Sequence, residues 1–354
     1  MKTSRWLVIG VLALCVASAF AQTSSNVSVF ATGFSNPRGL KWGPDGNLYV
    51  AEGGTGGQIP PPSNCAQVPP PVGPYTGGFS ARISKVAPDG TRTTLVDHLP
   101  STSAAIGDVE GVADIAFLGD QMYALLAGAG CSHGHANFAN WLLKVNSDGS
   151  WSKFVNLSSY LKLHPTKNPE PDDFEPDGTW YNLIAADGLL YAVEPNHGEV
   201  DQIAPSGVVT RLIDLSETQG HVVPTSIART PSGFFVGNLN TFPIVPGSSA
   251  RYSITNLGGV SQVKTGLTTV VAVVYSAGDT YFLELSDAPG FPGPGNGKVV
   301  RLRNGVFLTI ATGLTVPTGM TMGADGSLYV SNFGAVPAPA GIGQIVKITV
   351  PGPL

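Results

Sequence analysis

Asn36–Glu52, NPRGLKWGPDGNLYVAE, and Val316–Asn332, VPTGMTMGADGSLYVSN, are near-copies of one another. Aligned from Ala31 and Ala311 over 22 residues, the two match without a gap at 11 positions. Each holds Pro-x-Gly, a short apolar run, a turn at Asp-Gly and then Leu-Tyr-Val. Gly after Asp supplies the positive φ of a hairpin turn, and the flanking apolar residues supply two antiparallel strands. One such hairpin cannot bury both of its faces, so a chain that repeats it must stack the copies.

Four further copies lie between these two. Their turns fall at Gly119-Asp120, Asp187-Gly188, Ser232-Gly233 and Gly278-Asp279, followed by Met122–Leu126, Leu190–Glu194, Phe234–Asn238 and Tyr281–Glu284. Second hairpins alternate with them, turning at Asp89-Gly90, Asp148-Gly149, Ser206-Gly207 and Asn304-Gly305, with a weaker one between Tyr252 and Thr265. Each unit is then a four-stranded antiparallel meander. Six in a ring make an all-β, six-bladed β-propeller. The last unit ends on its third strand, Gly343–Ile348, and Asn26–Gly33 resembles the outer strand Asn304–Gly313. The N-terminal strand is therefore expected to complete the last blade and close the ring, which removes a free sheet edge.

Composition agrees. Of 354 residues 42% are hydrophobic and only 12% charged, with 45 Gly and 29 Pro, which favours short strands and many turns over surface helices. A net charge of −5 leaves no basic footprint for nucleic acid. Residues 1–21 read as a secretory signal, with Lys2 and Arg5 ahead of an apolar run and Ala19-Phe20-Ala21 as the cleavage site. Leu14 before Cys15 argues against a lipoprotein. No later run is long enough to span a bilayer. The expectation is a secreted or periplasmic protein with one propeller domain over 22–354 and no membrane insertion. Export leaves Cys65 and Cys131, which are expected to pair in an oxidising compartment.

The tight turns fall on one face of the ring and the long segments on the other, where binding and catalysis usually sit. Cys65 and Cys131 lie in such long loops on neighbouring blades. The position ending strand 2 repeats as Glu52, Glu194, Asn238, Glu284 and Asn332, with Leu126 the exception. Such a circle could hold a hard cation such as Ca²⁺, or each side chain could cap backbone of its own blade. A role repeated in five of six blades fits the cap better. Innermost strands bring Arg38, Tyr181 and Thr225 to the channel mouth, with Glu110, Asn182 and His221 close by. Arg38 is the cation of that set, suited to an anionic ligand or to pairing with Glu110. His133, His135 and His197 complete no metal motif and read as solvated loop histidines. The acidic run Pro169–Gly178 lacks the register of a Ca²⁺ loop and reads as plain surface. There is no G-x-S-x-G, H-E-x-x-H, P-loop or strand-linked G-x-G-x-x-G.

NPRGLKWGPDGNLYVAEGG, YNLIAADGLLYAVEPNHGEV, VPTSIARTPSGFFVGNLNTFPIVPGSSARY and VPTGMTMGADGSLYVSNFG resemble the ScyD/ScyE family of exported propellers, over about Val27 to Ile348. The F-P-x-x-P-G spacing at 242–247 is the most specific part, whereas the LYV hairpins are similar to NHL-repeat and SMP-30-like propellers generally. The chain departs from the family at Thr179-Trp180-Tyr181-Asn182, where members tend to have N-P-Y-G. The resemblance implies fold and export more than chemistry. SMP-30-like lactonases hold a divalent ion with Glu, Asn and Asp from inner strands, for which Glu110 and Asn182 are the counterparts, without a full matching set. The first expectation is a non-catalytic module binding a small molecule, glycan or protein at its looped face. The alternative is a metal-dependent lactonase or hydrolase of Ca type using Glu52, Glu110 or Asn182. A quinone-dependent sugar dehydrogenase ranks last, since only Arg38 offers itself to the quinone.

Overall fold

The computed structural model describes residues 22–169, 175–335 and 340–352. The signal sequence expected at 1–21 lies outside them. Strand β1 (Val27–Phe34) is followed by β2 (Pro37–Trp42), β3 (Leu48–Glu52), β4 (Thr76–Val86), β5 (Arg92–Ser103) and β6 (Val109–Glu110). The second blade is β7 (Val112–Leu118), β8 (Gln121–Leu126), β9 (Trp141–Val145) and β10 (Trp151–Asn156), after which comes helix α1 (Leu157–Leu163). The third is β11 (Asn182–Ala186), β12 (Leu189–Glu194), β13 (Glu199–Ile203) and β14 (Val209–Asp214), followed by α2 (Leu215–Gln219). The fourth is β15 (Pro224–Thr230), β16 (Gly233–Asn238), β17 (Ser249–Ile254) and β18 (Val260–Leu267). The fifth is β19 (Val270–Ser276), β20 (Asp279–Glu284), β21 (Gly297–Arg303) and β22 (Val306–Leu314). The sixth has β23 (Gly319–Met322), β24 (Leu328–Asn332) and β25 (Gly343–Ile348).

The sixth sheet runs β1-β25-β24-β23, with Val27 opposite Ile348 and Phe34 opposite Gly343. The N-terminal strand does complete the last blade, and the fold is the six-bladed propeller of antiparallel four-stranded sheets. Each blade is apolar on both faces. A hydrophobic core therefore fills every gap between neighbours, as between blades one and two with Ile83, Leu99, Ile115 and Leu143, all fully buried. The first core to close the ring packs Ala31, Phe34 and Ile345 against Leu40, Leu48 and Val50.

Blade one departs from the repeat. Its third and fourth strands run on past the ring, pairing Thr76–Gly78 with Ser101–Ser103, and β6 adds a fifth strand through Thr102 and Glu110. The hairpin read around Asp89-Gly90 does not announce this extension, because the added residues are rich in Gly and Ser and lack apolar alternation. This extension carries Tyr75, Asp108 and Glu110 to the channel. Cys65 and Cys131 are joined with Cα atoms 5.6 Å apart, tying the long loop of blade one to that of blade two. Among the described residues no helix is long and apolar enough to cross a membrane.

Candidate functional site

The innermost strands of the blades surround a cavity of about 770 Å³. Arg38, Glu110, Tyr181, Asn182 and His221 line it, whereas Glu52, Glu194 and Asn238 do not. These three close the ends of second strands inside their own blades. Glu52 accepts from Ser35 N at 2.6 Å and sits between Arg82 at 2.8 Å and Arg92 at 3.5 Å. Glu194 accepts from Thr179 N at 3.0 Å and His197 N at 2.6 Å. Asn238 accepts from Ala250 N and donates to Val222 O, both at 2.7 Å. Glu284 and Asn332 repeat the pattern on Thr268 N and Thr315 N. All five side chains are buried and act as caps.

Behind the cavity wall, buried between inner strands, lies a group that the repeat pattern does not reveal. Asp114 of β7 is fully buried and accepts from Lys41 Nζ at 3.1 Å, Asn182 Nδ2 at 2.6 Å and Leu183 N at 2.9 Å. Asn182 Oδ1 in turn accepts from Ile227 N at 2.9 Å, so one amide stitches blades two, three and four. Burial pushes the Asp114 carboxyl above its ordinary value against the pull of Lys41. Gly39 makes the approach possible, since a Cβ there would lie 1.9 Å from Asp114 Oδ1. The available signal was charged residues in two otherwise apolar inner strands, Asp114 in VADIAFL and Arg38 and Lys41 in PRGLKW.

At the looped mouth, Arg38 Nη2 is 3.0 Å from Asp108 Oδ1 and donates to Val109 O. Its expected partner Glu110 is only a neighbour. Burial alone would lower the guanidinium, but Asp108, Tyr181 and Glu110 outweigh it and hold Arg38 above its usual value. Glu110 Oε2 instead lies 3.6 Å from His133 Nε2, and Glu175 Oε2 lies 3.5 Å from the same nitrogen. Tyr75 donates to Glu175 Oε1 at 3.1 Å, and its ring tilts against the imidazole with centroids 4.4 Å apart. Burial, then Glu110, Glu175 and Asp108, push the Tyr75 phenol well above its ordinary range.

Two expectations are corrected here. His133, His135 and His197 are buried rather than solvated, because the blade-one extension and the 3-10 turn Cys131–His133 cover the first two. His135 bonds Ser101 O at 3.1 Å, and His197 Nδ1 meets Glu194 at 3.1 Å, so the three share no cluster. The acidic run is not plain surface either. Residues 170–174 lie outside the described residues, but Glu175 and Asp177 are 2% and 3% exposed.

On the opposite side of the mouth, loops of blades four and five present Phe242 and Phe291. Their rings stack with centroids 5.9 Å apart and 9° between planes, although they are 44% and 72% exposed. Ile244 and Gly290 bridge the two loops by paired backbone bonds, and Phe242 lines the cavity.

The donor set does not suit a hard cation. Glu52 is held between two arginines, both ends of Asn182 are engaged, and an ammonium already occupies Asp114. Among the described residues no three His, Cys, Asp or Glu side chains are grouped to hold a metal. A tricarboxylate quinone fits no better. Arg38, Lys41 and Arg229, the arginine and lysine side chains that line the cavity, each face a carboxylate, Asp108, Asp114 and Asp187 respectively.

No family model matches the sequence, and no curated protein matches it. Solved structures do. A gluconolactonase from Xanthomonas campestris is similar with a TM-score of 0.53 and 12% identity, over 92% of this chain and 89% of that one. A PQQ-bound aldose sugar dehydrogenase from Streptomyces coelicolor gives 0.55 and 13%, over 92% and 98%. At these identities the likeness is one of fold. The chain is an all-β six-bladed propeller whose structural neighbours include a gluconolactonase and a sugar dehydrogenase, similar to it in architecture.

Proposed function

We propose that this chain is an exported ligand-binding propeller that takes a small molecule into its central cavity through the looped face. The observation that carries this is the cavity of about 770 Å³, within the range of small-molecule sites, with an aromatic pair on one side of its mouth and hydrogen-bonding groups on the other. Phe242 and Phe291 suit the flat face of a ring, and Asp108, Glu110, Tyr181 and Asn240 suit its hydroxyl groups. A ligand that binds only the native state raises the melting temperature, by about 2.7 kcal/mol of stabilisation at a hundredfold excess over Kd. The mature protein is expected to show a saturable shift with at least one member of a panel of sugars, sugar lactones and aromatic glycosides. That shift should shrink in Phe242→Ala. A panel without any shift, or one unchanged in the variant, would refute the cavity as the site.

A metal-dependent lactonase is the second reading. The likeness to a gluconolactonase supports it at the level of fold, while the Lys41–Asp114–Asn182 arrangement weighs against it. Added Ca²⁺ is expected to leave the melting temperature unchanged, and a saturable rise would restore this reading.

A further inference from the structure

Beside the cavity wall formed by Glu110 and Glu175, the hydrogen bonds around His133 fix which ring nitrogen carries its proton. Lys162 and two bonds from Ser132 outweigh burial and keep Asp177 below the ordinary carboxylate range, so Asp177 is ionised and only accepts. Ser132 Oγ has one proton and gives it to Asp177 Oδ2 at 2.6 Å. The same oxygen lies 3.0 Å from His133 Nδ1 and must therefore accept from it. That fixes a proton on Nδ1 and turns Nε2 toward the two carboxylates at 3.6 Å and 3.5 Å. A bare Nε2 would set a lone pair against two anionic oxygens in a fully buried place. When no bound cation offsets the two carboxylates, one further proton among Nε2, Glu110 and Glu175 relieves this, and whichever atom carries it, the trio then has a net charge of −1.

What the cavity sees of this trio is its acidic side. Glu110 and Glu175 line the cavity and His133 does not. Asp108 adds a third carboxylate, opposed by Arg38, and Tyr75 lies among all of them. Glu110 Oε2 and His133 Nε2 have no hydrogen-bond partner among the described residues. We propose that this wall is a subsite for the ammonium group of a primary amine, which displaces the shared proton as it binds. The step balances: the ligand brings one positive charge, the shared proton leaves to solvent, and His133 remains neutral with its proton on Nδ1. The inference rests on the reading of the cavity as a binding site and narrows its ligand to an amine-bearing small molecule.

Titration calorimetry of the mature protein with glucosamine and with glucose tests it, run near neutral pH in two buffers of different ionisation enthalpy. Glucosamine is expected to bind about tenfold or more tightly than glucose, as a charge-assisted contact implies, and its binding is expected to release protons where that of glucose does not. His133→Gln should abolish the proton release while leaving glucosamine bound, and Glu110→Gln should bring its affinity down to that of glucose. Equal binding of the two sugars overturns the amine subsite and leaves the cavity reading standing. Binding of neither overturns the amine subsite, while the cavity reading stands or falls on the wider panel of sugars, lactones and glycosides. Glucosamine binding without proton release also overturns the proposal, and this readout on the unaltered protein holds even where a variant fails to fold.

Discussion

Asp45 and Asp325 make the same contacts in the two most similar hairpins. Each accepts from the backbone N–H two residues on, from a tyrosine hydroxyl four residues on, and from a lysine of the third strand. For Asp325 these are Ser327 N at 3.1 Å, Tyr329 at 3.2 Å and Lys347 at 2.7 Å. Partial burial raises its carboxyl, but these contacts outweigh it and hold it at about 2. A depressed folded value gives stability that is present above the unfolded value of about 3.9 and lost as pH falls through about 2. Solvent screening limits so exposed a pair to less than about 1 kcal/mol. Asp325→Asn should therefore cost roughly 0.5 kcal/mol at neutral pH and almost nothing near pH 2. Urea melts of both proteins at the two pH values check this, and an equal difference at both would show that charge is not the cause. The turn role of these aspartates was legible in Asp-Gly, since it needs only local geometry. Asp114 was not, because its value lies in meeting Lys41 and Asn182 from other blades, and no local pattern encodes that meeting.

At the scale of elements, β13 shows how a strand can carry an ionisation against folding. Its alternation puts Glu199 and Asp201 on one face, and both are fully buried. Arg211 of β14 pairs with Glu199, while both Asp201 carboxylate oxygens have no hydrogen-bond partner among the described residues. Burial pushes Glu199 up to about 7 and Asp201 well above its ordinary value, with Arg211 pulling both down and Glu194 pushing both up. Tyr160 of α1 also faces the cluster and is itself raised to about 12. Raised folded values give stability that is full below the unfolded values near 4 and lost progressively as pH rises above them, for Glu199 through about 7. Asp201→Asn removes one of these ionisations with little change of shape. It should raise the urea midpoint at about pH 8 by the equivalent of roughly 1 kcal/mol or more, and change it clearly less at about pH 4, near the unfolded values. Destabilisation of the same size at both would assign Asp201 a packing role instead. Second strands that run continuously apolar after a tight turn, such as β12 and β20, were legible from the sequence. The extension of β4 and β5 was not, since its residues serve the mouth of the channel rather than a blade core.

The whole molecule depends on a ring closed by strands from both ends of the chain. β1 supplies the outer edge of blade six, and its Ala31 and Phe34 fill the core between blades six and one. The termini are further tied where Asn26 donates to Ile310 O and Thr349 O. Without β1, the edge of β25 would be open to pairing with other chains, and a cavity would form where Phe34 now sits fully buried. Loss of a buried Phe side chain alone costs about 3–5 kcal/mol, and the ladder of β1 adds to that. A chain beginning at Ser35 should melt at least about 6 °C lower than one beginning at Gln22, at about 2 °C per kcal/mol for a chain of this size. It should also associate on size exclusion. Phe34→Ala should show the melting loss without the association, because it keeps the strand that covers the edge. Adding a peptide of residues 24–34 should restore part of the stability and suppress association, since Ala31 and Phe34 seat the strand in the core between blades six and one and so hold its register on β25. If the shortened chain melts within a degree of the full one and stays monomeric, the closure is ornamental, and blades one and six hold the ring by their inner strands alone.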